Sequence, residues 1–465
     1  MRSKSLIIGF GHHSRRIHYP IVSELAAVDI VGIVDLRSRE TEIESYLKAN
    51  DIDVARLYMD SRNVLSNQLT QFAERLDIDS VIISTGPEAH VLYAKWAFKH
   101  GYHVLMDKPV HAEKNAAHNL QAARQVHNEY TSLVKDLRKK RKKYPRLVCE
   151  ILTQRRYHPG YMLIKQLIDE VYDKTGCPIT YYYAFHNDGQ WRLPEEVAEL
   201  DYHGYKDGFG KASHSGYHFY DLLNWFTSSF REEKGVDAIL VKAWPNFPKN
   251  HFKQIDANTL SRIFPDYHSV VDYQLADYGE VDVMSTIQLK SSNSVITHAQ
   301  IDLQHSGISA RSWPTIEGRN LYKGNGRVRH EQHYINMGPF ASISLTSWQS
   351  KPFAVESISS KDIYKPGHEF NLDITICRNS KIIGGQAVQN YTLEDIYEPL
   401  LSDYSRGHQE DARWSAIVEF YELIRRGRNT GHSPLTAHSL SSLTMASVYE
   451  SIASAGEVTN EIVKG

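Results

Sequence analysis

Cysteine is scarce in this sequence. Its 465 residues include three, Cys149, Cys177 and Cys377, far apart and in no paired spacing. That excludes a disulfide framework and a cysteine-based zinc site, and it suits a reducing, cytoplasmic compartment. Long apolar runs are missing too: none reaches the roughly 18 residues of a membrane-spanning helix. Neither sign of charge dominates. Lys and Arg number 53 against 55 Asp and Glu, a formal net charge of −2, so no bulk field draws the chain to nucleic acid or to a membrane. There is no internal repeat and no low-complexity stretch. Arg2 and Lys4, followed by the apolar run 6–10, superficially resemble a signal peptide. The run is too short, however, and leads into a glycine turn without a small-residue cleavage site. It reads as the first strand of the fold.

What is present is globular. Hydrophobic residues make up 41% and charged residues 23%, and the length exceeds what one core normally serves, so two domains are expected, 1–125 and 126–465. The first of these alternates short apolar runs (6–10, 30–35, 80–84, 103–106) with stretches of helical spacing (17–27, 69–76, 90–100). Near-continuous apolar strands alternating with helices predict an α/β fold with a parallel sheet covered on both faces. A long helical stretch, 115–143, ends in the basic run 135–143, which reads as a solvated helix end. Beyond Pro145 the period changes to two. Val295, Thr297, Ala299, Ile301 and Leu303 alternate with polar residues, and Phe370, Leu372, Ile374 and Ile376 repeat the pattern. This predicts a largely antiparallel sheet with one buried face. Helical segments are expected at 161–171, 218–226, 411–426 and 437–455. The stretches 246–265 and 318–329 read as loops or insertions.

Gly9-Phe10-Gly11-His12-His13-Ser14 follows the first strand and opens a helix. The first glycine permits a tight turn, the second lets backbone approach a pyrophosphate, and the helix start offers N–H groups and partial positive charge. Ser14 stands where a third glycine is usual and is small enough for close packing. Asp35, at the end of the second strand, is placed to bind ribose hydroxyls and favours NAD; Arg37 and Arg39 are placed to hold a 2′-phosphate and keep NADP open.

Thr85-Gly86-Pro87-Glu88-Ala89-His90, then Ala94, Ala97, Gly101, His103-Val104-Leu105-Met106 and Asp107-Lys108-Pro109, resemble the glucose–fructose oxidoreductase, inositol dehydrogenase and MocA family. That family has a Thr-Pro…His loop, a Gly-x-His-Val-Leu run and a Glu-Lys-Pro signature; Asp107 replaces the Glu. Arg155-Arg156-Tyr157-His158-Pro159 resembles the segment opening its second domain, and His214-Ser215-Gly216-Tyr217-His218-Phe219-Tyr220-Asp221 its Asp-x-Gly-x-His-x-x-Asp signature. The terminal segments 416–427 and 434–451 resemble its last helix pair. The resemblance implies a Rossmann domain joined to an α+β domain with a large open antiparallel sheet, whose face often forms a dimer or tetramer interface. It implies NAD or NADP as cofactor, held by Gly9, Gly11, His12, Ser14, Asp35, Arg37, Thr85, Pro87, His90, Asp107 and Lys108, and a cis bond before Pro109.

The activity implied is hydride transfer between nicotinamide and a hydroxyl or carbonyl carbon of a sugar, sugar derivative or cyclitol. Lys108, at a strand end, bonds the substrate hydroxyl and stabilises a developing alkoxide; His218 takes and returns the proton. His214 stands where the family has Asp, which alters the relay, marks a different substrate, or signals lost chemistry. Asp221 lies three residues beyond His218, placed to orient it. Arg156, Tyr157, His158, Trp191 and Arg192 are candidates for lining the substrate cleft, the aromatic rings for stacking on a sugar. His214 and His218 have the i, i+4 spacing of helical zinc sites. A glycine lies between them in a chain of 24 histidines, so no metal is expected. Two other readings stay open: a non-catalytic NAD(P)-binding sensor of the same fold, and an NAD-dependent glycoside hydrolase.

Overall fold

The computed structural model describes residues 2–60, 67–189, 191–199, 204–265, 277–305, 307–311, 326–350, 363–398, 400 and 406–462. Its strands are β1 (Ser3–Ile8), β2 (Val28–Leu36), β3 (Ala55–Met59), β4 (Ser80–Ile83), β5 (His103–Asp107), β6 (Cys149–Leu152), β7 (Tyr181–Asn187), β8 (Ala238–Asn246), β9 (Asp282–Ser291), β10 (Ser294–Gln304), β11 (Val328–Met337), β12 (Ala341–Ser350), β13 (Asp373–Arg378), β14 (Val388–Thr392) and β15 (Glu457–Glu461). They form two sheets.

The first sheet has the order β3-β2-β1-β4-β5-β6, and all its neighbours run parallel. Its central strands are buried on both faces, Leu6, Ile7, Ile82 and Ile83 being fully inaccessible. This is why they read as unbroken apolar runs. The chain goes outward from β1 through β2 to β3, then returns to β4 on the other side of β1. The crevice at the carboxyl ends of β1 and β4 is therefore the topological switch point, where open parallel sheets bind ligands.

The second sheet has nine strands in the order β14-β13-β12-β11-β7-β10-β9-β8-β15. It is antiparallel except at its middle, where β7 and β10 run parallel. The fold class is thus a parallel Rossmann sheet plus a mixed, mostly antiparallel one. The expected alternation is present in β10: Thr297, Ala299, Ile301 and Leu303 are buried while their neighbours are not. The helix Gly216–Phe226 is buried along nearly its whole length.

Packing groups the chain into two compact units. One comprises residues 1–112, 127–158 and 409–442; the other comprises 113–126, 159–408 and 443–465. The sequence boundary at 125 differs from this because the chain crosses more than once. Part of helix His408–Arg426 belongs to the first unit: Ile417, Phe420 and Tyr421 share a core with Ile7, Phe10 and Ile33, and Tyr421 Oη lies 2.8 Å from Ser5 Oγ. Such long-range burial leaves no mark on local periodicity.

The stretch 246–265 departs from the loop expectation. It holds the helices Pro248–Gln254 and Ala257–Ile263. Pro248 sits at a helix start, where its missing N–H costs nothing, and Asp256 caps the second helix by accepting the Thr259 N–H at 2.8 Å. Of the other expected loop, 318–329, residues 318–325 lie outside the described residues, and Val328 and Arg329 open β11. No helix among the described residues is long and apolar enough to cross a membrane.

Candidate functional site

The first unit places the glycine turn at its switch point. Gly9 has φ +91°, and a Cβ there would lie 2.4 Å from Ser84 O, so only glycine lets β1 leave the sheet beside β4. At Gly11 the surroundings are open: a Cβ would meet only Arg39 Nη1, at 3.3 Å. The helical bonding after the turn starts with Arg15 N–H to Gly11 O at 3.0 Å. A helix end of this kind leaves N–H groups for an anion. His12 is exposed, whereas Ser14 is fully buried and its Oγ has no hydrogen-bond partner among the described residues. A bare second glycine, a helix start and a buried hydroxyl lacking a partner fit a dinucleotide pyrophosphate.

Asp35 ends up gripping the turn itself. Its carboxylate accepts the N–H groups of Phe10 and Leu36, both at 2.7 Å, and Arg39 Nη1 lies at 3.4 Å. Arg37 is committed elsewhere, to Asp60 at 2.6 Å, Glu40 at 3.2 Å and Tyr58 O at 3.1 Å. Of Arg37 and Arg39, the one beside the glycine turn is therefore Arg39.

Asp107 closes β5. Burial works against its ionisation, but the imidazoles of His18 and His13 and hydrogen bonds from His18 and Ser84 outweigh that, holding its carboxyl well below the ordinary range. The partners are His18 Nε2 at 2.9 Å and Ser84 Oγ at 2.6 Å. Neither was singled out from sequence, because nothing local links residues 18, 84 and 107. Lys108 follows, half-buried, and its bond to Pro109 is cis. His90 directs one ring nitrogen to Pro109 O at 2.8 Å and the other to Thr85 O at 3.1 Å, tying the Thr85–Pro87 loop to the Lys108 turn; burial lowers its pKa.

Arg156 and Tyr157 also lie in the first unit, with their polar atoms used internally. Arg156 Nη1 donates to His432 O at 3.0 Å, and Tyr157 Oη to Glu419 at 2.7 Å. His158 is buried beside them in sequence.

In the second unit Trp191 stacks on Phe264, ring centroids 6.4 Å apart, and Arg192 is buried. His214 and His218 fall on different helices, Lys211–His214 and Gly216–Phe226, so the i, i+4 spacing does not put them on one helical face. His218 and Asp221 are both buried on the latter helix.

His214 belongs instead to a cluster that sequence did not reveal. Asp188, just beyond β7, accepts from Lys211 Nζ at 2.5 Å and from His305 Nδ1 at 3.2 Å. Arg327 lies 3.4 Å from its other oxygen. Lys211 is 0% exposed; burial lowers its pKa, partly offset by Asp188. Burial opposes ionisation of Asp188, but Lys211, His186 and His305 hold its carboxyl well below the usual range. The helix start carrying Lys211 is pinned by Glu280, whose Oε1 accepts the Ala212 N–H at 2.8 Å and whose carbonyl accepts the Lys211 N–H at 2.9 Å.

Residues 3–133 match the family described as oxidoreductase family, NAD-binding Rossmann fold (Gfo/Idh/MocA). Among curated proteins none matches. Solved structures share the fold along almost the whole chain. One is the aldose-aldose oxidoreductase from Caulobacter crescentus complexed with glycerol, at 11% identity and TM-score 0.58, covering 98% of this chain and 99% of that one. Another is the scyllo-inositol dehydrogenase from Lactobacillus casei with NAD(H) and scyllo-inositol, at 14% and 0.57, covering 99% of each. A third is a 3-ketoreductase from Actinomadura kijaniata with TDP-benzene and NADP, at 12% and 0.54, covering 97% and 96%.

Proposed function

We propose that the protein is an NAD(P)-dependent oxidoreductase acting on a hydroxyl or carbonyl carbon of a sugar, sugar derivative or cyclitol. The observation that carries this reading is the Asp107-Lys108 turn at the carboxyl end of β5, in the same unit as the glycine turn of a dinucleotide-binding sheet. A hydride acceptor or donor is what the nicotinamide supplies when bound. Gly9, Gly11, His12, Ser14, Thr85 and Pro87 form the proposed cradle, with Asp35 selecting ribose hydroxyls and so favouring NAD. Lys108 then donates a hydrogen bond to the reacting oxygen and stabilises negative charge on it, and His218 exchanges the proton. Structures of similar fold include an aldose-aldose oxidoreductase holding glycerol, a scyllo-inositol dehydrogenase holding scyllo-inositol and a 3-ketoreductase holding TDP-benzene, which guides the substrate panel. Arg156, Tyr157, Trp191, Arg192 and Asp221 are proposed as substrate-binding residues.

The test is turnover of inositols, hexoses, amino sugars and nucleotide sugars with NAD and NADP separately, followed by nicotinamide absorbance. Lys108→Ala and His218→Ala should each lower the rate by two or more orders of magnitude. His214, in the place of a family Asp, favours a second reading as an NAD(P)-binding sensor. Intact nucleotide binding with no turnover on any substrate would select that reading. Release of sugar from glycosides without net change in cofactor would select the hydrolase.

A further inference from the structure

β7 and β10 run parallel with Asn187 opposite Gln304, so Asp188 and His305 leave the sheet side by side. The backbone is fixed on both sides: Asp188 N–H bonds Gln304 O at 3.1 Å, and His305 N–H bonds the Asp282 carboxylate at 2.8 Å. The His305 ring is 2% exposed. Its Nδ1 faces the ionised Asp188 and must be the donor of that bond. The ring's other nitrogen, Nε2, is buried and has no hydrogen-bond partner among the described residues. Around it stand His214 and Tyr205, with ring centroids 5.9 and 5.7 Å away, and burial together with Arg192 and Lys211 keeps the ring neutral near pH 7. A buried acceptor without a donor is costly unless something supplies one.

Asp188, His214 and His305 also have the spacing of a metal triad, one ligating atom from each lying within 4.8 Å of the others. Against a cation stands Lys211. Its ammonium is 2.5 Å from the same Asp188 oxygen that His305 faces, and Arg327 faces the other oxygen. The negative charge is already met, and what remains unmet is a neutral acceptor.

We propose that Asp188 and His305 form a hydroxyl-recognition site, in which Asp188 fixes the ring with its proton on Nδ1 and Nε2 accepts a hydrogen bond from a hydroxyl of a polyhydroxylated ligand. This rests on the reading of the second unit as the substrate-binding one. Asp188 is a positioning residue here, and His305 the binding residue. The carboxylate comes from 26 residues before His214, so the family motif's missing acid is not replaced in sequence but has a neighbour in space.

The experiment is long-range 1H–15N spectroscopy of the full chain labelled with 15N-histidine, with His305 assigned by its loss in His305→Gln. The expected result is a neutral ring protonated on Nδ1, whose Nε2 resonance moves saturably with glycerol, added as the hydroxyl probe. The Asp188→Asn/Lys211→Met double variant, which removes both charges together, should lose the fixed tautomer. A proton on Nε2, or an Nε2 resonance indifferent to glycerol, would overturn the proposal. So would stoichiometric Zn²⁺ binding that His305→Gln abolishes. Turnover is not read, so failure of the oxidoreductase assay and failure of this site are separate results.

Discussion

Asp35 holds the Phe10 N–H of the glycine turn, and in the proposed cradle the same carboxylate also binds the nucleotide ribose. Asp35→Ala should therefore both weaken NAD binding, by about ten- to a hundredfold, and loosen the turn. Arg39, not Arg37, stands beside it. Titration calorimetry should show Arg39→Ala weakening NADP about tenfold or more while NAD changes little, and Arg37→Ala altering neither. An effect of Arg37→Ala on NADP would return the 2′-phosphate role to it. At the other cluster, Asp188→Asn leaves the Lys211 ammonium buried without its counter-charge. The expected loss is about 3–5 kcal/mol in urea unfolding, and adding Lys211→Met should restore most of it.

At the scale of the element, the two glycines of the turn separate structure from function. Gly9→Ala meets both the left-handed backbone and the Ser84 carbonyl, so it should cost roughly 2–5 kcal/mol. Gly11→Ala has room, and should leave the melting temperature within about 1–2 °C of wild type while blocking the backbone's approach to a pyrophosphate. Its dinucleotide affinity should fall by tenfold or more. Equal damage to stability from both substitutions would show that the second glycine is only architectural.

The pH profile belongs to the whole molecule. Burial holds His103, His127 and His305 down at about 4 and pushes Glu150 and Glu280 up to about 7. Between roughly pH 4.3 and 6.5 the unfolded chain takes up protons on the three histidines while the folded chain keeps them on the two glutamates. The histidines prevail, and stability falls as the pH falls. Thermal unfolding should therefore become less resistant as the pH is lowered from about 6.5 to 4.5, and Glu280→Gln should steepen that fall. A melting temperature that climbs as the pH is lowered from about 6.5 to 5 would refute this balance. The second sheet also exposes large side chains: Trp244 and Met284, paired across β8 and β9, and Tyr181 and Tyr334 on β7 and β11. An exposed set of this kind fits association with further copies of the chain. Light scattering should give a dimer or tetramer that Trp244→Glu/Met284→Glu dissociates.

The glycine turn, Asp35 and the Asp107-Lys108-Pro109 turn were legible in the sequence, because each depends on residues close together in the chain. So were the strands buried on both faces and the alternating β10, since burial writes its period into a local window. The middle of the second sheet was less so: strand direction depends on which neighbour a strand finds, and the β7–β10 pair spans more than a hundred residues. The same reason hid the return of helix His408–Arg426 to the first unit and the His18–Asp107–Ser84 contacts. It also hid the meeting of Asp188, Lys211, His214 and His305. Sequence by itself determined the residue types and the local periods. Only tertiary structure decided which buried charges would share one low-dielectric space, and there the cost of leaving a charge unpaired sets the chemistry.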